Sequence, residues 1–236
     1  MVIGAPSIWP DPETGRGEPS GLAARIALGV AAEGASVQLA GKVGDDPAGD
    51  EVLLALARAG VLHDAVLRDP DRATPLASAV AVVPADASAA ADALLAGIDE
   101  RSDEADRAVE GAPGPALDAA DLALCLSYLR EFAVVVVAEP LDPAGLAAVA
   151  GAAAFAGAAL VVIVPPGGEA RSVPPDATVL EGPVEDQDDD FARLVARYAI
   201  SLEHGGEPAS AFRLALAGAG WEAVGSQPSR AGGASG

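Results

Sequence analysis

Residues 35–62, ASVQLAGKVGDDPAGDEVLLALARAGVL, contain the pattern that decides the fold. Apolar residues alternate with small or polar ones up to Gly41, and a turn follows at residues 44–47. Apolar residues then recur at helical spacing from Val52, and Gly60 ends the helix before a new apolar run. The pattern therefore predicts a strand, a helix and a second strand parallel to the first, joined by a right-handed crossover.

The same alternation continues along the rest of the chain. We expect further strands at residues 1–8, 62–67, 75–83, 132–138, 159–164 and 178–180. We expect further helices at residues 21–32, with Ser20 as the N-cap, and at 85–97, 117–129, 143–156, 190–203 and 208–217. Residues 10–19 and 98–115 are predicted loops. Repeated β-α-β units predict a doubly wound, mostly parallel sheet, with the ligand site beyond the carboxyl ends of its strands.

The composition favours one domain that does not bind nucleic acid. The 236 residues are 51% hydrophobic, which suits a single domain at residues 1–225 followed by a flexible tail at 226–236. Fourteen basic and thirty-five acidic side chains give a net charge of -21, and Lys42 is the only lysine. This charge opposes binding to nucleic acid and to anionic membranes.

Cys125 is the only cysteine, so the chain can form no internal disulfide and no cysteine zinc cluster. A reducing cytoplasm fits this cysteine usage. The first residues lack the basic and apolar segments of a signal peptide, and the longest apolar runs are short or contain glycine. We therefore predict a cytoplasmic protein without a membrane span.

Six phrases, in order along the chain, carry a resemblance to a known family. They are Ser20-Gly21 through Gly34, GKVGDDPAG at residues 41–49, AGV at 59–61, DRATP at 71–75, ATVL at 177–180 and EPASAFRLALA at 207–217. They resemble the ribokinase (PfkB) family of sugar and nucleoside kinases, and GKVGDDPAG is the most specific of them. The resemblance implies a three-layer α/β/α sandwich. The short loop after the first strand implies a reduced or absent lid.

The chain departs from the family where the sugar would bind. The resemblance implies an aspartate at the end of the first strand, and Trp9 stands at that position. The family's first glycine signature keeps one glycine here, Gly21, and Arg25 replaces an asparagine. The resemblance makes Gly21 and Arg25 the candidate substrate-binding residues. Arg25 either faces the crevice, where it could bind an anion, or lies on the solvent face.

The largest departure is at the family's anion hole, a Gly-Ala-Gly-Asp phrase whose aspartate is the catalytic base. Asp189 matches the base, while Asp186 and Asp188 replace the glycines. Carboxylates at these positions repel a phosphate. The candidate catalytic residue is therefore Asp189. The competing interpretation, which we prefer, is that Asp188 to Asp190 only cap a helix and oppose its positive end.

No metal ligand and no cofactor-binding residue is identified. The acidic residues 185–190 lack the spaced ligands and the turn glycine of a calcium loop. GKVGDDPAG lacks the Gly-Lys-Ser/Thr order of a phosphate loop, so a turn and a helix start are the expected structure there. His63 and His204 have no serine or cysteine nucleophile phrase beside them, so a hydrolase triad has no support.

Three hypotheses for the function follow. The first is a degenerate carbohydrate kinase homologue, a pseudoenzyme that binds a sugar or nucleoside or acts as an interaction module. The alternative is an active ATP-dependent sugar or nucleoside kinase, with ATP and Mg²⁺ as cofactors and an alcohol group as the phosphate acceptor. The third is a structural subunit, which would expose an apolar patch on a sheet edge or helix face. A homodimer is one expected assembly.

Overall fold

A computed structural model describes residues 1–10, 17–77, 114–129, 131–168, 173–184, 186 and 188–218. These residues contain eight strands and six helices. In chain order they are β1 (Val2–Ile3), β2 (Ser7–Pro10), β3 (Gly17–Ser20), α1 (Leu22–Ala32), β4 (Gln38–Gly44), α2 (Pro47–Arg58), β5 (Leu62–Asp69), α3 (Ala119–Tyr128), β6 (Val134–Val137), α4 (Pro143–Ala156), β7 (Ala159–Val164), β8 (Thr178–Glu181), α5 (Asp190–Glu203) and α6 (Pro208–Gly218).

Six of the strands form one parallel sheet in the order β5-β4-β1-β6-β7-β8. Strand β1 is central, and it pairs with β4 on one side and with β6 on the other. The chain first builds the sheet outward from β1 to β5 and later outward from β6 to β8. The predicted doubly wound sheet is confirmed, and the direction of winding changes between β1 and β6, which is where such folds bind ligands.

Helices cover both faces of the sheet. Along β6, Val134 and Val136 face one hydrophobic cluster while Val135 and Val137 face the other, as the two-residue period of a strand requires. The first cluster includes residues from α1, α2, α5 and α6, and the second includes residues from α3 and α4. The predicted three-layer α/β/α sandwich is therefore confirmed. We call these two sets of helices the four-helix layer and the α3–α4 layer.

The start of α2 joins two of the sequence phrases into one structural unit. The Asp46 carboxylate accepts the N–H of Gly49 at 2.7 Å, the N–H of Thr74 at 2.7 Å and the Thr74 hydroxyl at 2.8 Å. The Gly44 N–H donates to the Thr74 hydroxyl oxygen at 2.9 Å. Burial by itself would raise the pKa of Asp46, but the hydrogen bonds from Thr74 and Gly49 outweigh it, and the pKa is lowered. GKVGDDPAG is thus a turn and a helix start.

The predicted first strand at residues 1–8 is wrong in its extent. Strand β1 contains only Val2 and Ile3, and Pro6, which has no N–H to donate to a sheet, lies shortly after it. Residues 7–10 instead pair antiparallel with residues 17–20, inside the predicted loop. This hairpin connects to the main domain through a bridge between Ile8 and Leu76. Strands β2 and β3 therefore form a separate two-stranded sheet.

The other predicted elements can be compared with the structure one by one. Helices α4 and α5 and strand β7 have the predicted bounds. Ser20 does not cap α1, because Gly21 occupies the N-cap position and no side chain caps the helix. The strand predicted from residue 75, the helix at 85–97 and the tail at 226–236 lie wholly or mainly outside the described residues. None of the helices in the described ranges is long and apolar enough to span a membrane.

Candidate functional site

The carboxyl ends of β1 and β6 meet the first turn of α1. A Cβ atom on Gly4 would lie 2.8 Å from the Cβ of Ala23 and 3.6 Å from the Cδ of Glu139, so these three residues are neighbours. Gly21 turns the chain from β3 into α1 with φ +83°, a conformation that side chains rarely adopt. Ala5 contributes its carbonyl oxygen 3.3 Å from the position of a Cβ on Gly21. The predicted residue Gly21 therefore lies at the predicted switch point.

Arg25 connects α1 to the segment that precedes α5. Its Nη1 donates to the Asp189 carboxylate at 2.8 Å and to the backbone carbonyl of Asp186 at 2.5 Å. The Arg25 side chain is 26% exposed, and its buried Nε has no hydrogen-bond partner in the described part of the chain. Arg25 therefore does not lie free on the solvent face, and its hydrogen-bond partners are aspartates of this chain.

The Asp186 carboxylate binds the start of α5. Its two oxygens accept the backbone N–H groups of Phe191 at 2.9 Å and Ala192 at 3.0 Å. An α-helix begins with four N–H groups that have no partner within the helix, and its N-terminus attracts negative charge. A helix start can bind an anion through these N–H groups. Here the Asp186 carboxylate already occupies part of that surface.

Asp189 has a different role from Asp186. It stands at the N-cap position of α5 with φ 57° and ψ 20°, a left-handed conformation that aspartate tolerates better than most residues. It is the one non-glycine residue with positive φ in the described ranges, and its side chain makes no capping hydrogen bond. Its carboxylate pairs with Arg25 and is 49% exposed. Of the interpretation that residues 188–190 cap the helix, the structure bears out the N-cap position of Asp189 and the acidic first-turn residue Asp190, while the side-chain hydrogen bonds to the helix start come from Asp186.

Glu139 is a site residue that the sequence reasoning missed. It follows β6, which is buried along its whole length, and its Oε2 accepts the Ala5 N–H at 3.0 Å. Burial raises the pKa of Glu139 above its ordinary value of 4.5, and the Ala5 hydrogen bond offsets only part of that effect. The signal was available in the sequence, since a carboxylate directly after the buried run VVVVA marks the carboxyl end of a parallel strand.

Trp9 lies outside the main sheet. It belongs to β2, opposite Glu18 of β3, and its side chain is exposed. Trp9, where the resemblance implied a sugar-binding aspartate, is therefore in the hairpin and not in the first strand of the sheet. Lys42, the second residue of the phrase GKVGDDPAG, pairs with Asp121 at 2.9 Å and with Asp69 at 3.9 Å, so its charge is already matched within the fold.

The described residues contain no group of three or more His, Cys, Asp or Glu side chains that could hold a metal ion. A cavity of 880 Å³ lies at the opposite end of the sheet, lined among others by Val2, Val37, Leu62 and Val134. These residues are at or before the amino ends of the strands. Gly21, Arg25 and Asp189 do not line it, so it is separate from the site at the carboxyl ends.

No protein-family model and no curated protein matches the sequence. Solved structures do match. The Arabidopsis thaliana ribokinase complexed with ribose and ATP is 15% identical, with 92% of this chain and 90% of that chain covered and a TM-score of 0.56. The chain has the ribokinase-like fold. A PfkB protein from Polaromonas sp. shares this fold at 14% identity, with coverage of 94% and 95% and a TM-score of 0.53.

A third ribokinase-like structure, a carbohydrate kinase from Agrobacterium tumefaciens, is 15% identical over 92% of this chain and 88% of that one, with a TM-score of 0.54. The coverage is high in both directions although the identities are low. The predicted fold class is therefore confirmed along most of the chain. The ribokinase-like fold brings Gly21, Glu139, Arg25 and Asp189 to the loops and helix starts around the carboxyl ends of β1 and β6.

Proposed function

We propose that this protein is a carbohydrate kinase homologue that has lost phosphoryl transfer and acts as a binding or interaction module. The observation that carries the proposal is the Asp186 carboxylate at the start of α5, with Phe191 and Ala192 as its donors. Catalysis of phosphoryl transfer depends on positioning and on stabilising negative charge. A carboxylate on these donors leaves them unable to perform that task.

A phosphate group does not fit this helix start as it is arranged. It would have to displace the Asp186 carboxylate from two charge-assisted hydrogen bonds and then lie beside the freed negative charge. Asp188 and Asp190 add further negative charge in the same segment. We therefore assign no residue of this site to ATP or Mg²⁺.

Arg25 holds this arrangement in place. Its guanidinium binds the Asp186 carbonyl and the Asp189 carboxylate together, so the segment before α5 is attached to α1. The same ion pair engages one oxygen of Asp189, the candidate base. A base must accept a proton from the substrate hydroxyl within hydrogen-bond distance, and the pairing with Arg25 competes with that contact. Both effects support a role without phosphoryl transfer.

The ligand class that the site supports is an uncharged polyol, either a sugar or a nucleoside. Glu139 and Gly21 border the switch point, and the partly buried Glu139 carboxyl offers hydrogen-bond acceptors for polyol hydroxyl groups. The Arabidopsis structure of the same fold is described with ribose and ATP bound. That this chain binds a sugar or a nucleoside is part of the proposal.

A panel of sugars and nucleosides, each with and without ATP and Mg²⁺, tests the proposal. We expect ATP with Mg²⁺ to leave the thermal midpoint unchanged at millimolar concentration, and we expect no phosphorylated product. A ligand that binds only the folded state at about 100 times its Kd would add about 2.7 kcal/mol of stability, so binding would be visible. A sugar or nucleoside that raises the midpoint without ATP would identify the ligand.

The alternative remains an active ATP-dependent sugar or nucleoside kinase. The observation that favours it is the exposure of Asp189, whose carboxylate is 49% accessible although it pairs with Arg25. Asp189→Asn removes the candidate base, and Asp188→Asn is the matched control because Asp188 is a neighbouring exposed carboxylate. Phosphorylation that Asp189→Asn abolishes and Asp188→Asn retains would establish the alternative and refute the loss of activity.

A further inference from the structure

The hairpin of β2 and β3 has one face in the core and one face outside it. Side chains alternate between the two faces of a strand, and residues paired across an antiparallel ladder lie on the same face. Ile8 pairs with Pro19 on the inner face, where Ile8 belongs to the hydrophobic cluster of the four-helix layer. The outer face is formed by two pairs, Ser7 with Ser20 and Trp9 with Glu18.

Trp9 is the largest side chain of this outer face. It belongs to neither hydrophobic cluster of the described chain and is 42% exposed. A tryptophan carries a large apolar ring surface, which folded chains ordinarily cover. Its indole N–H only donates, so Trp9 cannot accept sugar hydroxyl groups as the aspartate implied at this position would. The group that Trp9 offers to a ligand is therefore the flat face of its ring.

The outer face begins at the switch point. The backbone N and the Oγ of Ser7 lie 3.5 Å and 3.3 Å from the position of a Cβ on Gly21, and the Ala5 N–H binds the Glu139 carboxylate at 3.0 Å. Trp9 lies on the same face as Ser7, two residues further along β2. The four residues from Ala5 to Trp9 span at most about 14 Å. A molecule with two rings, one beside Glu139 and one on Trp9, fits within this span.

Carboxylates lie at both ends of the span. Glu139 lies at one end, and the exposed Glu18 is paired with Trp9 at the other. The chain as a whole has a net charge of -21. These charges repel a phosphate on a ligand, whereas the carboxylate oxygens accept hydrogen bonds from hydroxyl groups. The ligand that fits is uncharged, carries hydroxyl groups and has a flat ring.

We propose that Trp9 stacks on the base of an uncharged nucleoside whose ribose hydroxyl groups bind at Glu139. The inference rests on the proposed function and narrows its ligand class from a sugar or a nucleoside to a nucleoside. Each nucleobase has a π face that stacks on an aromatic side chain, and such stacking tolerates different bases. A free ribose has no aromatic face, so it would make only the contacts at Glu139.

Tryptophan fluorescence reports the stacking contact directly. The chain contains two tryptophans, so Trp221→Phe leaves Trp9 as the only one. Titration of this variant with adenosine, guanosine, cytidine and uridine should quench its emission saturably for at least one of them, and ribose should leave it unchanged. A nucleoside that binds by calorimetry without changing the emission overturns the proposal, and so does quenching by ribose as strong as that by a nucleoside.

Calorimetry on variants measures the contribution of Trp9 to affinity. Trp9→Ala should raise the Kd of the nucleoside about 10-fold, while Trp9→Phe keeps a ring and should retain most of the affinity. Leu54→Ala is the matched control, because Leu54 is 46% exposed on α2, close to the exposure of Trp9, and should leave the Kd unchanged. Circular dichroism checks that each variant is folded. An unchanged Kd in Trp9→Ala overturns the proposal.

The 5′-monophosphate of the nucleoside that binds tests the charge of the ligand. Its phosphate would meet the carboxylate of Glu18 or Glu139, so it should bind more weakly than the nucleoside, and the difference should decrease at high salt concentration. Equal binding of the two contradicts an uncharged ligand.

The same measurements separate this inference from the proposed function. A sugar that binds without ATP and is unaffected by Trp9→Ala contradicts the role of Trp9 and leaves the proposed function intact. Phosphorylation of a nucleoside by ATP that Trp9→Ala weakens supports the role of Trp9 and refutes the loss of phosphoryl transfer. Failure of all sugars and nucleosides to bind refutes both.

Discussion

Helices α2, α3, α4 and α5 each start beside an aspartate that accepts backbone N–H groups, and the starts of α2 and α5 differ in what the aspartate does. Asp46 stands directly before α2 and binds Gly49 and Thr74, so it joins the helix to the loop after β5. Asp186 lies four residues before α5 begins, binds the first turn of that helix, and is attached to Arg25 through its carbonyl. The same capping chemistry stabilises the fold at α2 and fills a candidate anion site at α5.

Removal of the α2 cap should have the largest effect on stability. Asp46→Ala removes three hydrogen bonds and leaves the buried Thr74 hydroxyl without its acceptor, so we expect a loss of about 2–3 kcal/mol in the free energy of unfolding. Urea denaturation measures it. Asp45→Ala is the control, because Asp45 makes only a surface ion pair with Arg68 and should cost less than about 1 kcal/mol. Equal losses of unfolding free energy in the two variants would show that the hydrogen bonds of Asp46 contribute no more than the surface ion pair of Asp45.

The α2 cap should also respond to acid. Because the folded pKa of Asp46 is lowered below 3.8, its contribution to stability is fully present above that value and is lost as the pH falls through the folded pKa. Unfolding curves between about pH 2 and pH 5 should therefore converge for the wild type and Asp46→Ala toward low pH. A difference that stays constant with pH would show that the carboxylate charge is not responsible.

Removal of the α5 cap should have a smaller effect on stability than removal of the α2 cap, and its main effect should be on the backbone of the first turn of α5. Asp186→Ala should cost about 1 kcal/mol, the usual value for a helix N-cap, because it makes no contact comparable to that with Thr74. The amide hydrogens of Phe191 and Ala192 should exchange faster with solvent. Asp188→Ala, at a nearby exposed carboxylate, should change neither quantity. Unchanged exchange in Asp186→Ala would mean that its carboxylate does not bind these groups.

The contrast between the two caps also explains what the sequence could predict. The α2 start was predictable because Asp46, Pro47 and Gly49 are neighbours in sequence, and the apolar repeats set the bounds of α4, α5 and β7. The α5 cap was not, because Asp186 is outside the helix and its anchor Arg25 is about 160 residues away. No local pattern predicts such a contact, and Asp188 to Asp190 lie nearer to the helix in sequence although Asp186 accepts the hydrogen bonds.

Two other differences have equally specific causes. The apolar content of residues 1–8 resembled one strand, but Pro6 interrupts it and the second half pairs with residues 17–20 across a short connection. The position of Glu139 at a strand end is visible in the sequence, but its hydrogen bond with Ala5, 134 residues earlier in the chain, is not. Long periodic elements were thus predictable, and contacts between distant segments were not.

The anchor of the α5 cap allows a direct measurement of coupling. In a double-mutant cycle, Arg25→Ala and Asp189→Ala should be coupled by about 0.5–1 kcal/mol, the range of partly exposed ion pairs at a distance such as 2.8 Å. The coupling should decrease at high salt concentration. Arg25→Ala with Asp188→Ala is the control cycle and should be additive. A coupling of zero between Arg25 and Asp189 would show that their ion pair does not stabilise the start of α5.

Glu139 sharpens the comparison, because this carboxylate lies at a strand end and accepts the backbone N–H of Ala5, a residue that belongs to no helix. Burial raises its folded pKa above 4.5, so the folded state holds the proton more tightly than the unfolded state does. Its contribution to stability is therefore largest at low pH and is lost as the pH rises from 4.5 through the folded pKa, the opposite sign to Asp46.

The conservative variant Glu139→Gln isolates this small effect. The amide oxygen keeps an acceptor for the Ala5 N–H, so the fold should be preserved, and the decline of stability above pH 4.5 should become flatter than in the wild type. Glu131→Gln, at an exposed glutamate just before β6, is the control and should leave the pH profile unchanged. An unaltered profile in Glu139→Gln would mean that the carboxyl is solvated.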